Sequence, residues 1–231
     1  MYPMRVWGVA PGTPDPHARE CIMSVQSAYD QWSHSYDDDP NATRDLDERV
    51  TADILGRLGG RLVLELGCGT GKNTSFLAGR FENVCAVDFS TGMLSRARER
   101  VAATNVAFLQ ADIQQRWPCE DQTADLVTIN LVLEHVAELR PVFTEASRVL
   151  RPGGHLFFCE LHPFRQYLGS QARFDQQGET VRIPAYRHHV SDFLEATSVA
   201  RLALRELGEW WITEDRQEPP RLLSMLFEKS A

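Results

Sequence analysis

Cysteine is scarce in this chain and follows no pattern: Cys21, Cys68, Cys85, Cys119 and Cys159 make an odd count of 5, with no C-x-x-C pair. That argues against a disulfide framework or a zinc cluster, and suits reduced thiols in the cytoplasm. Positive charge is short as well. Lys and Arg total 24 against 32 Asp and Glu, a net charge of −8. The electrostatic footprint of sequence-independent nucleic-acid binding is therefore missing. No apolar run approaches the roughly 20 residues needed to cross a bilayer. The opening Met1-Tyr2-Pro3-Met4-Arg5-Val6-Trp7-Gly8 has no basic region leading into an apolar stretch, which argues against secretion. Internal repeats and low-complexity tracts are lacking too. What remains is 231 residues, 43% hydrophobic and 24% charged. That composition suits one domain with an added lid and a small-molecule substrate; the oligomeric state, monomer or homodimer, is unknown from the sequence.

Along the chain, Met1–Arg19 holds four prolines and two glycines without periodicity, and reads as extended. Ile22, Val25, Tyr29 and Trp32 recur at helical spacing, predicting a helix over Ile22–Tyr36 that ends at Asp37-Asp38-Asp39-Pro40. A second helix is expected over Asp45–Leu58. From Arg61 the pattern alternates: strands at Arg61–Leu66, Val84–Asp88, Val106–Ala111, Ala124–Leu131 and His155–Glu160, and helices at Lys72–Arg80, Gly92–Ala102 and Leu139–Leu150. This predicts an α/β fold, a doubly wound and mostly parallel sheet of the Rossmann-like kind. Pro163–Tyr186 has weak periodicity, as an insertion over a site would. Ser191 is the expected N-cap of a helix over Ser191–Val199. Leu202–Thr213 and Arg221–Glu228 predict an antiparallel hairpin at the sheet edge.

The chemistry concentrates where the first strand turns into the first helix of the alternation. Open α/β sheets bind ligands at the carboxyl ends of their strands. Gly67, Gly69 and Gly71 follow the strand Val63-Leu64-Glu65-Leu66 directly and would let backbone approach a ligand without a Cβ clash. Asp88 ends the next strand, 21 residues after Gly67, where a carboxylate can accept from both ribose hydroxyls. A P-loop needs four residues between its glycines and then Lys-Ser/Thr, whereas Gly67-Cys68-Gly69-Thr70-Gly71-Lys72-Asn73 has a shorter gap and Asn73 in place of the hydroxyl. A dinucleotide fingerprint needs its third glycine one residue later than Gly71.

Glu65-Leu66-Gly67-Cys68-Gly69-Thr70-Gly71 resembles the first motif of class I S-adenosylmethionine-dependent methyltransferases. Val84–Asp88, Leu109-Gln110-Ala111-Asp112-Ile113, Asp125–Val136 and Leu150-Arg151-Pro152-Gly153-Gly154 are similar to the family's later segments in order and spacing. The likeness covers roughly Tyr29–Glu160 and, more loosely, the final hairpin, implying a seven-stranded sheet. It implies S-adenosyl-L-methionine as cofactor, leaving S-adenosyl-L-homocysteine as product. It gives Asp88 to the ribose, Asp112 and the Ile113 backbone to the adenine, and Glu65 to the amino group through water; the position of Phe89 and Met93 just after Asp88 lets them flank the adenine face. Cys68, Asn73, Asn130 and Leu131 fall in matching segments and join the cofactor set. Each has a plainer reading: Asp112 as a loop cap, Phe89 and Met93 as core.

Tyr29-Asp30-Gln31-Trp32-Ser33-His34-Ser35-Tyr36-Asp37 resembles the lid segment of the ubiquinone- and menaquinone-type branch. That likeness implies a helix folded over the cofactor, with Tyr36 near its methionine part and Tyr29 at the pocket mouth; Trp32 is equally a core residue. The expected division is an N-terminal segment and lid at 1–58 and a cofactor domain at 59–231, with a substrate-covering insertion at about 163–190. His162, which follows the fifth strand, and His135 are candidate bases or positioning groups. Arg165, His188 and His189 are candidates for the acceptor side. No metal site is expected. Asn130 is followed by Leu131-Val132-Leu133 rather than Pro-Pro-aromatic, and Cys119 precedes the fourth strand, so nucleobase methylation is not supported. The rival readings are a nicotinamide-dependent oxidoreductase and a catalytically silent domain of the same fold.

Overall fold

A computed structural model describes residues 23–38, 40–176 and 178–230. The segment Met1–Arg19, Cys21 and Ile22 lie outside the described residues. Helix α1 spans Val25–Trp32 and is closed by a turn over 33–38, so it ends before Tyr36. Helix α2 spans Ala42–Leu55 and starts earlier than its apolar periodicity suggests. The reason is local: the Asn41 carboxamide oxygen accepts the N–H groups of Thr43 and Arg44 and caps the first turn.

Seven strands form the main sheet in the order β3-β2-β1-β4-β5-β9-β8. They are β1 Gly60–Leu66, β2 Phe81–Asp88, β3 Val106–Gln110, β4 Ala124–Asn130, β5 Leu150–Leu161, β8 Leu202–Trp210 and β9 Leu222–Lys229. The first five run parallel; β9 lies antiparallel between β5 and β8, completing the expected hairpin at the edge. The connecting helices are α3 Thr74–Ala78, α4 Thr91–Arg100, α5 Leu139–Val149 and α7 Val190–Val199. Helix α7 begins one residue before Ser191, with His189 at the cap and the Asp192 carboxylate accepting the His189 N–H at 2.8 Å. Helix α3 is shorter than the predicted Lys72–Arg80, because the glycine loop runs on through Asn73.

Period-two alternation sends successive side chains of one strand to opposite faces. On β1, Leu64 and Leu66 join a core beneath α5 and α7, whose centre is Phe158, with ring centroids 5.8 Å from Phe143 and 5.0 Å from Phe193. Val63 joins the opposite core with Leu46, Val50 and Ile54 of α2. The 163–190 stretch is not structureless. It holds α6 Pro163–Tyr167 and a separate two-stranded sheet of β6 Arg173–Gln176 and β7 Glu179–Arg182. Phe174 stacks on Trp32 at 5.4 Å and, with Ile183 and Ala28, seals the insertion onto α1 in a third small core. Trp32 is thus a packing residue.

Candidate active site

The order β3-β2-β1-β4-β5 reverses direction between β1 and β4, and the crevice lies at the carboxyl ends there. The glycine loop crosses it. Gly67 and Cys68 donate their N–H groups to the Val87 carbonyl at 2.7 and 3.0 Å, tying the loop to the end of β2. Gly67, Gly69 and Gly71 have φ of 70°, 53° and 80°. A Cβ on Gly67 would stand 2.1 Å from Val132 Cγ2, whereas one on Gly69 would meet nothing within 4 Å. Gly67 is needed for packing; Gly69 faces open space, as a ligand-bearing glycine must.

Carboxylates form the acidic lining. Asp88 accepts from the Gly69 N–H at 2.9 Å and the Ser90 N–H at 2.8 Å, and burial pushes its pKa up to about 6. Glu65 accepts from the Thr74 hydroxyl at 2.6 Å and is pushed up to about 8 by burial, with Asp47 and Asp88 adding repulsion. Asp47, also raised by burial, is held between the carboxamides of Asn73 at 3.0 Å and Asn130 at 2.7 Å. Two cations line the same cavity, Lys72 and Arg44. Lys72 is committed outward to Asp45 at 2.7 Å and Glu48 at 3.3 Å, while the Arg44 guanidinium lies 4.0 Å over the Tyr36 ring. Buried carboxylates with little local countercharge favour a cationic ligand.

S-adenosylmethionine fits this surface on three counts. Its ammonium and sulfonium answer the acidic lining, a ribose diol answers Asp88, and an adenine answers the apolar slot of Phe89, Met93, Ile113 and Leu131. Asp112 stands at the same slot, its Oδ1 accepting the Gln114 N–H at 2.9 Å. Cys68 is buried in the loop, and burial raises its thiol pKa.

Helix α1 is bolted to the wall of this cavity. Asp30 Oδ1 accepts from the Ser90 hydroxyl at 2.6 Å and the Gly92 N–H at 3.1 Å, and Gln26 donates to the Phe89 carbonyl at 2.7 Å. In the following turn Asp37 accepts from Thr70 at 3.0 Å and pairs with Arg100 at 2.8 Å. Tyr29 and Tyr36 then line the cavity, with both hydroxyls kept neutral by burial. The Tyr29 hydroxyl meets His135 Nε2 at 2.9 Å. His135 Nδ1 lies 2.7 Å from the Pro184 carbonyl, which only accepts, so Nδ1 carries the proton and Nε2 the lone pair. Burial lowers the His135 pKa and keeps the ring neutral.

The other expected acceptor-side residues stand apart from this cavity's lining. His162 has both nitrogens engaged, Nδ1 accepting the Phe164 N–H at 3.1 Å and Nε2 on Glu209 at 3.0 Å; it caps α6. Arg165 pairs with Glu218 at 2.8 Å. His188 is buried with Nε2 on the Val136 carbonyl at 2.7 Å, and His189 bonds Tyr167. Sequence reasoning missed Asp47, although Leu46, Val50 and Ile54 mark the buried face of α2 and Asp47 intrudes there. It also missed a second cavity of about 450 Å³, which shares Tyr29, Tyr36, Arg44 and Leu131 with the first.

Comparison with known proteins points to the same cofactor. A family model described as a methyltransferase domain matches residues 64–158. The chain is 38% identical to a demethylmenaquinone methyltransferase of Clavibacter sepedonicus, over 48% of this chain and 45% of that protein. It therefore spans under half the length of that relative. It is 30% identical to a malonyl-[acyl-carrier protein] O-methyltransferase of Pectobacterium atrosepticum, over 87% of this chain and 84% of that one. Among solved structures, a DhpI complex with S-adenosylhomocysteine superposes with a TM-score of 0.69 at 22% identity, covering 89% of this chain and 96% of that one. This chain belongs to the class I S-adenosylmethionine-dependent methyltransferases.

Proposed function

We propose that this chain methylates a small-molecule acceptor seated in the second cavity, and that the sugar and base of S-adenosylmethionine lie over the glycine loop, Asp88 and the Phe89–Met93 slot. The observation that carries the reading is the shared wall: Tyr29, Tyr36, Arg44 and Leu131 border both cavities, so acceptor and methyl donor meet at one aperture. The bound cofactor supplies an electrophilic methyl on a sulfonium. The chain's own work is alignment and exclusion of water. Asp88 fixes the ribose end, Asp47 and Glu65 face the cationic end near the loop, where a bound cation draws the raised pKa of Glu65 back down, and the tyrosines of the lid close the aperture. Neutral His135 orients Tyr29 there. The acidic composition favours a small molecule over nucleic acid, and the free thiols of Cys68, Cys85, Cys119 and Cys159 suit a reducing compartment such as the cytoplasm.

Titration with S-adenosylhomocysteine and, separately, with NAD tests the cofactor half. Tight binding of the first and none of the second is expected; the reverse would return the chain to nicotinamide chemistry. Transfer of a labelled methyl from S-adenosylmethionine to acceptors tests the other half. Retained S-adenosylhomocysteine binding with no transfer to any acceptor would mark a silent domain.

A further inference from the structure

The second cavity differs in charge from the first. Among the described residues, Arg44, Arg173 and Arg221 border it, with Glu134 as the one carboxylate. The arginines come from the start of α2, from β6 and from the residue before β9, so the insertion and the terminal hairpin both deliver charge to one place. Arg221 is half-buried, and its Nε donates to the Thr43 hydroxyl at 2.7 Å. Burial, then the neighbouring Arg165 and Arg173, push its pKa down, which reports like charges gathered away from water. Arg165 is taken by Glu218. Glu134 offsets little of this. It is 7% exposed, its Oε2 has no partner, burial lifts its pKa to about 7, and it is one carboxylate against three guanidinium groups. Arg44 is turned onto the Tyr36 ring, which leaves half-buried Arg221 and exposed Arg173 to meet an entering anion, and the partly desolvated Arg221 gains most from one.

We propose that the methyl acceptor is a small carboxylic acid, held as its carboxylate by Arg221 and Arg173, and that the product is a methyl ester. The inference rests on the methyl-transfer reading and names its substrate class. A lone pair on the carboxylate oxygen forms the new O–C bond while the methyl C–S bond breaks, and that bond's electron pair stays on sulfur as a neutral thioether. An anion and a sulfonium become two neutral groups, and no proton is released. A base is therefore unnecessary, in keeping with a His135 whose lone pair is already occupied by Tyr29. Annihilation of charge is favoured where water is excluded, and planar guanidinium groups orient a carboxylate through paired N–H donors.

The test uses the full chain saturated with S-adenosylhomocysteine and titrated with glutarate and benzoate, against glutaramide and benzamide as neutral controls. In parallel, trideuteromethyl transfer from labelled S-adenosylmethionine is followed by mass spectrometry into pools of carboxylic acids, phenols and amines. The acids are expected to bind, and label to appear as methyl ester. Arg173 is exposed, so Arg173→Gln should fold; it and Arg221→Gln should weaken acid binding at least about tenfold while S-adenosylhomocysteine affinity stays within about twofold. If Arg221→Gln fails to fold, Arg173→Gln alone decides. Label entering phenols or amines but no acid, no binding of either acid, or acid affinity unchanged in Arg173→Gln, would each overturn the proposal and leave the methyl-transfer reading standing. Failure to bind S-adenosylhomocysteine at all would instead remove the reading beneath it, and the proposal with it.

Discussion

The Tyr29 hydroxyl and His135 Nε2 stand 2.9 Å apart, joining α1 to the turn after β4 across 106 residues of sequence. The Pro184 carbonyl holds the other ring nitrogen, so three segments fix one imidazole between the glycine-loop cavity and the 163–190 stretch. A histidine fixed in this way is suited to positioning a neighbour. Removing a general base costs on the order of 10²–10⁴ in rate. His135→Asn is expected to cost less than about tenfold in kcat and to keep the shape of the kcat/KM pH profile, with Tyr29→Phe showing a similar loss. Loss of an ionisation limb in the profile would make His135 a base after all.

Asp88 gives a sharper expectation. A hydrogen bond to a charged group is worth about 1.5–3 kcal/mol, so Asp88→Asn should weaken S-adenosylhomocysteine binding by roughly 10- to 100-fold in a calorimetric titration. The asparagine keeps the shape, but its one oxygen serves either the Gly69 or the Ser90 N–H, so the thermal midpoint of the ligand-free variant is read alongside the affinity. Unchanged affinity would end the ribose assignment.

Two glycines of one loop should fail differently. Gly67→Ala meets both a φ of 70° and a Val132 methyl 2.1 Å away, and should lower the thermal midpoint by more than the left-handed cost alone, about 1–2 kcal/mol. Gly69→Ala meets only its φ of 53°, with nothing within 4 Å. It should fold with a smaller loss yet bind cofactor poorly, because its methyl projects where the ligand approaches. Scanning calorimetry with and without S-adenosylhomocysteine separates the two; equal thermal losses would contradict this account.

Stability of the ligand-free chain should fall as pH rises from about 6.5 to 8.5. Glu65 and Glu134 have folded pKa values of about 8 and 7 against an ordinary 4.5. The folded state therefore binds more protons than the unfolded one in that window, and stability declines with pH. Below about 6.5, Asp88, raised to about 6, acts in the same sense. His135, His155 and His162 act oppositely there, since burial lowers their pKa values and their stability contribution is lost as pH falls. The decline should be clearest above neutrality, and Glu65→Gln should flatten it. A midpoint that rises between pH 6.5 and 8.5 would reverse the sign.

Much of the fold was legible because its determinants are local. Backbone that must turn from a strand into a helix needs glycine at positive φ, so the spacing of Gly67, Gly69 and Gly71 specifies a loop whatever surrounds it. Alternating apolar runs and caps specify strands and helices in the same way, and Asp88 is placed because a strand's end is readable. Errors fell where a cap outranked periodicity: Asn41 started α2 early, and His189 displaced Ser191 at α7.

The histidines show where local reading stops. His162 and His135 look alike in sequence, each following a strand at the sheet's carboxyl edge. The tertiary structure gives one to a helix cap and Glu209, and the other to Tyr29 and the cavity. Arg44, Arg173 and Arg221 are likewise ordinary surface candidates in sequence until folding brings them to one pocket. The sequence alone determined the sheet and the loop, which depend on near-neighbour backbone geometry, and the resemblance of its motifs to a known family named the methyl donor. The charge of the second cavity depends on side chains from distant segments meeting, and only the tertiary structure decides that.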